Sequence, residues 1–120
     1  MFGNLFKRKE KSVEEKMREE LGLELIPVDE GTINKFKKYI RGASNLTNEE
    51  VIYKINRDFY CSNIISKENS QIIIKKYGNL KIVYSKKSKS IVRIYNKNTY
   101  GRCYDVDELL KNKLNRIMGL

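Results

Sequence analysis

The sequence predicts an α+β fold: N-terminal helices, a three- to four-stranded antiparallel meander and a C-terminal helix. Apolar residues recur at helical spacing up to about Tyr60. From Ser70 the period drops to about two, in β-branched and aromatic runs separated by turn residues. Helical spacing returns after Asp105. A chain of 120 residues with 40% hydrophobic content reads as one packed domain over residues 12–120, preceded by a basic flexible tail over 1–11.

Ser12 and Glu15 form a capping-box pattern ahead of Val13, Met17 and Leu21, so residues 12–21 read as a short charged helix stopped by Gly22. Leu23 to Val28 is extended in character, and Pro27 confines it to an edge strand or linker. Thr32 is the expected cap of a helix to Arg41, with Ile33, Phe36 and Ile40 on one face and Gly42 as its stop. Thr47 and Glu50 form a second capping box, opening a helix to about Tyr60 with Val51, Ile52, Ile55 and Phe59 inward. Ile72 to Tyr77, Leu80 to Ser85 and Ile91 to Tyr95 read as three strands, turning at Gly78-Asn79 and at Lys86 to Lys89. Asp105 is the expected cap of a last helix with an apolar stripe of Val106, Leu109, Leu110, Leu114 and Ile117.

Composition narrows the chemistry. The chain has 25 Lys+Arg against 15 Asp+Glu, a net charge of +10, and no histidine. The absence of histidine excludes Ser-His-Asp and Cys-His catalysis and His-ligated metal sites. No GxxxxGK[ST] or GxGxxG occurs. Asp105, Asp107 and Glu108 suit a helix N-terminus better than a metal cage, so no metal and no cofactor are expected. Cys61 and Cys103 lack ligand-pair spacing and read as reduced thiols of a cytoplasmic protein. No run suits a transmembrane helix or a secretory leader. Phe2, Leu5 and Phe6 before a basic cluster allow weak contact of residues 1–9 with a membrane surface. The 18 Lys, 14 Ile and 12 Asn are all encoded by A/T-rich codons, pointing to a low-GC bacterium or its phage or mobile element.

The charge is unevenly placed. Residues 1–60 carry 12 basic and 11 acidic side chains, whereas residues 61–120 carry 13 and 4. That places the excess on the sheet segment and favours an anionic partner, RNA or DNA, with an acidic protein surface as the alternative. If the hairpins are regular, one sheet face holds Ile72, Ile74, Lys76, Lys81, Val83, Val92 and Ile94. The other holds Ile73, Lys75, Tyr77, Leu80, Ile82, Tyr84, Ile91, Arg93 and Tyr95. The second face is either a nucleic-acid platform of tyrosine and cations or, by its aliphatic members, the buried face. The expected contacts are Lys75, Tyr77, Tyr84, Arg93 and Tyr95, the hairpin-tip lysines Lys86, Lys87 and Lys89, and Lys97 and Arg102 beyond the last strand.

The order of a short strand, two helices and a meander, ending in Asn98-Thr99-Tyr100-Gly101-Arg102-Cys103-Tyr104, resembles the RelE/ParE toxin superfamily over roughly residues 24–104. The resemblance implies metal-independent cleavage of messenger RNA, or binding of another target, by a basic and aromatic surface. It carries the family's middle-strand arginine onto Lys81, a departure in residue type, and its late Arg and Tyr onto Arg102 and Tyr104. Arg93 joins these as a catalytic candidate, since cations and a phenol can stabilise a phosphorane without histidine. Three functions follow as expectations: a nucleic-acid-binding protein, a RelE-like ribonuclease toxin, or a non-enzymatic inhibitor or structural component.

Overall fold

The computed structural model describes residues 11–69, 71–96 and 106–120, with the backbone alone for 63–69. Lys11 of the expected tail pairs with Glu19 at 2.5 Å, whereas residues 1–10, and with them the membrane contact of 1–9, lie outside the described residues. So do Lys97, Arg102, Cys103, Tyr104 and Asp105. The elements run α1 (Val13–Leu21), α2 (Glu30–Tyr39), α3 (Asn48–Cys61), β1 (Asn63–Asn69), β2 (Ile72–Tyr77), β3 (Leu80–Ser85), β4 (Ser90–Asn96) and α4 (Glu108–Met118). The strands form one antiparallel sheet in the order β1-β2-β3-β4, so the fold is α+β.

Helices α1, α3 and α4 begin where side chains accept otherwise unpaired backbone N–H groups. Ser12 Oγ accepts the Glu15 N–H at 3.2 Å, and Gly22 closes α1 at φ +66°. At α3 the box is complete: Thr47 Oγ1 accepts the Glu50 N–H at 3.1 Å, and the Thr47 N–H donates to Glu50 Oε1 at 3.3 Å. Helix α2 starts earlier than Thr32 predicts. The Ile91 N–H donates to the Pro27 carbonyl at 2.9 Å and the Asp29 N–H to the Ile91 carbonyl at 3.0 Å. This parallel bridge of Val28 to β4 ends the extended chain at Asp29, which becomes the N-cap, and Thr32 is buried within the helix. The helix ends at Tyr39, two residues before the expected Arg41.

At the other end of the chain, the cap of α4 is Asp107, whose Oδ1 accepts the Leu110 N–H at 3.1 Å while its own N–H donates to the Cys61 carbonyl at 3.0 Å. The buried stripe is Leu110, Leu114, Ile117 and Met118, spaced i, i+4, i+7 and i+8. Leu109, expected to face inward, falls off that stripe and is 74% exposed. Strand β1 is a fourth strand beside the three that alternation predicts; its sequence, Asn-Ile-Ile-Ser-Lys-Glu-Asn, does not alternate, and its pairing with β2 is broken twice by irregularities.

Two cores meet at α3. One packs Ile33 and Phe36 of α2 and Val51, Ile55 and Phe59 of α3 onto Leu80, Ile82, Ile91 and Ile94 of the sheet. The other joins Met17 of α1, Cys61, and Leu114, Ile117 and Met118 of α4. Tyr60 touches both. Asn56, with no solvent exposure, ties the strand-like segment to α3: the Ile26 N–H donates to its Oδ1 at 2.7 Å, and its Nδ2 donates to the Ile26 and Ile52 carbonyls, each at 2.9 Å.

Candidate nucleic-acid interface

Residues directly opposite in an antiparallel sheet share a face, so the register assigns every side chain from β2 to β4. The β2–β3 turn at Gly78-Asn79 pairs Tyr77 with Leu80, as the hairpin predicts. Between β3 and β4 the pairing starts regularly, Ser85 with Ser90 and Tyr84 with Ile91, then skips Val92 and resumes with Val83 opposite Arg93. Val92 is the extra residue of a β-bulge. It reverses the expected sides of every residue beyond it.

The inner face therefore carries the rows Ile73–Tyr84–Ile91, Lys75–Ile82–Ile94 and Tyr77–Leu80–Asn96. This corrects the expected platform. Lys75, Tyr77 and Tyr84 lie under the helices, and Arg93 and Tyr95 do not share their face. Tyr84 packs 5.5 Å from the Phe59 ring, and the Lys75 amine stands 4.3 Å from the centroid of that ring. Burial lowers the Lys75 pKa. The Lys111 amine covers Tyr77 at 5.7 Å. These groups take part in helix–sheet packing.

The outer face carries Ile72–Ser85–Ser90, Ile74–Val83–Arg93 and Lys76–Lys81–Tyr95. Ile72, Ile74 and Val83 fall outside the two core clusters, but Val83 and Ser90 are buried and Ile72 and Ile74 half-buried, so the exposed part of this face is its β4 end, at Arg93 and Tyr95. Lys81, Arg93 and Tyr95 are thus brought together on one face, two from the edge strand β4. The Arg93 guanidinium donates to the Tyr95 hydroxyl at 3.0 Å and sits 6.0 Å from the ring centroid. At the far end of β3 and β4, Lys86, Lys87 and Lys89 are all exposed on the turn, with Lys89 at φ +52°. Lys89 and Tyr95 are six positions apart, about 20 Å along the strand, with Arg93 the one cation between them.

The sequence reading missed the helical side of this surface. The Lys35 amine on α2 also reaches the Tyr95 ring, 6.0 Å from its centroid, and the Lys38 amine lies 5.3 Å from the centroid of Tyr39. Tyr39 is 58% exposed and Tyr95 36%, and between them a cleft of about 250 Å³ is lined by Lys35, Ile40, Ile94 and Asn96. A signal was present: residues 31–47 contain Lys35, Lys37, Lys38 and Arg41 and no acid. Counting charge over half the chain cancelled that run against the glutamates of the flanking helices.

Other reactive groups are held quiet. Cys61 is buried, and burial with the nearby Asp58 and Asp107 raises its pKa to about 11, so the thiol stays protonated. Among the described residues no group of three His, Cys, Asp or Glu side chains could hold a metal ion, and no helix is long and apolar enough to cross a membrane. No protein-family model, curated protein or solved structure matches the chain.

Proposed function

We propose that this is a small nucleic-acid-binding protein, with a cytoplasmic role in a low-GC bacterium or its phage or mobile element. It binds through the outer half of β4, the adjoining face of α2 and the β3–β4 turn. The observation that carries the reading is Tyr95, an exposed aromatic ring with the Arg93 guanidinium and the Lys35 amine each 6.0 Å from its centroid. An aromatic face stacks on a base of any identity while cations neutralise the flanking phosphates, giving affinity without base-edge readout.

Fluorescence anisotropy with a labelled single-stranded oligonucleotide tests it. Tyr95→Ala is expected to weaken binding by about 5- to 150-fold, the about 1 to 3 kcal/mol that one base–aromatic stack contributes. Arg93→Gln lowers both affinity and salt dependence. Wild-type affinity in both variants would defeat the assignment of this surface.

A ribonuclease reading is favoured by one observation: Lys81 and Arg93 are diagonal neighbours on the outer face, two cations able to flank one phosphorane. It calls for cleavage of RNA by wild type that is lost in Lys81→Ala and Arg93→Ala. Intact RNA after prolonged incubation with wild type would reject it.

A further inference from the structure

Beside the Tyr39–Tyr95 cleft is a second cavity of about 240 Å³, lined by the C-terminal end of α2, the loop into α3, α3 itself and the β2–β3 turn. Its floor is apolar, including Phe36, Leu46 and Leu80, and Arg41, Lys54 and Arg57 stand around it. The Arg57 guanidinium is committed: it pairs with the buried Asp58 carboxylate at 2.9 Å and donates to Asn115 Oδ1 at 3.1 Å. That pair is neutral as a unit, so Arg41 and Lys54 leave the cavity net positive. Ile40 and Asn96 line both this cavity and the cleft, so the two are adjacent, with Asn96 Nδ2 donating to the Tyr39 carbonyl at 3.5 Å where they meet.

We infer that this cavity is a subsite for one unstacked nucleotide of a bound single strand, the base on the apolar floor and its phosphate against Arg41 and Lys54. The inference rests on the nucleic-acid reading. Its volume falls below the about 300 to 1,000 Å³ of sites for drug-sized ligands, which suits one ring system with its anionic group. A base paired in a duplex cannot enter, whereas a single strand can turn one base inward while its neighbour stacks on Tyr95. Asn79, which also lines the cavity, supplies an amide donor and acceptor for a base edge, and Asn96, whose Nδ2 donates to the Tyr39 carbonyl, offers its carbonyl oxygen. The cavity therefore selects single strands over duplexes.

The test measures binding of a labelled single-stranded RNA and of the same sequence as a duplex. Three proteins are compared with wild type: the Arg41→Gln/Lys54→Gln double variant, Leu46→Phe and Tyr95→Ala, with urea midpoints confirming that each folds. Leu46→Phe fills the cavity without altering charge. It is expected to weaken single-strand binding by about tenfold with an unchanged salt slope, while duplex binding stays within about threefold. The double variant should likewise cost the single strand more than the duplex. Equal losses for both nucleic acids, or no loss in either cavity variant while Tyr95→Ala binds poorly, would overturn the subsite and leave the interface standing. If wild type binds no single strand at all, the interface and the subsite both fall.

Discussion

Asn56 replaces a strand partner for Ile26 with one carboxamide. Substituting leucine leaves the Ile26 N–H and carbonyl buried without partners, at about 1 to 3 kcal/mol each. Asn56→Leu is therefore expected to lower unfolding free energy by about 2 to 6 kcal/mol, read as a drop in urea midpoint. Asp58 is the other buried polar group with a measurable consequence. Burial raises its pKa from 3.8 to about 6, against the opposing pull of Arg57, Lys111 and Lys54. Between these two values the folded chain retains a proton that the unfolded chain has released, so stability falls as pH rises from about 4 to about 6 and levels off above. The shift corresponds to about 3 kcal/mol. Wild type should therefore gain on Asp58→Asn by about that amount between pH 7 and pH 4, in paired urea titrations at the two pH values. Neither residue's role could be read from the sequence. The partners of Asn56 include backbone atoms 30 positions away, and a lone aspartate beside an arginine on a helix looks like a surface ion pair.

The helices were legible wherever a side chain states their start. Thr47 and Glu50 mark α3 by a local pattern that no tertiary contact overrides, and Thr47→Ala should cost about 1 kcal/mol, seen as a lower melting temperature. Helix α2 began earlier than expected because a long-range bridge from Val28 to Ile91 ends the extended chain. The strands β2 to β4 and the Gly78-Asn79 hairpin were legible from alternation, yet the sheet faces were not. Ile91 and Val92 are both apolar, so the pattern does not reveal which residue is bulged out, and one extra residue moves Arg93 and Tyr95 to the opposite side. The bulge puts those two residues on the outer face with Lys81, away from the tyrosines that the helices cover.

At the scale of the molecule, the net charge of +10 resolves into two runs: the sheet-side cations with the β3–β4 turn, and the acid-free stretch 31–47 on α2 and its loop. The fold brings these runs, separate in sequence, together at Tyr95, where Lys35 and Arg93 each lie 6.0 Å from the ring centroid. The candidate surface was thus half legible: Arg93, Tyr95 and the turn lysines could be named from residue type and order, while the placement of Lys35 and Tyr39 beside them required the packing of α2 against β4. The most direct measurement is the affinity of a labelled single-stranded oligonucleotide for wild type and for Lys86→Gln/Lys87→Gln/Lys89→Gln, from about 50 to about 500 mM NaCl. Wild-type affinity should fall steeply and linearly in log–log form, and losing three phosphate contacts should reduce the slope by about 2. Affinity that ignores salt, or a slope the triple variant leaves unchanged together with Arg93→Gln, would contradict a nucleic-acid partner on this surface.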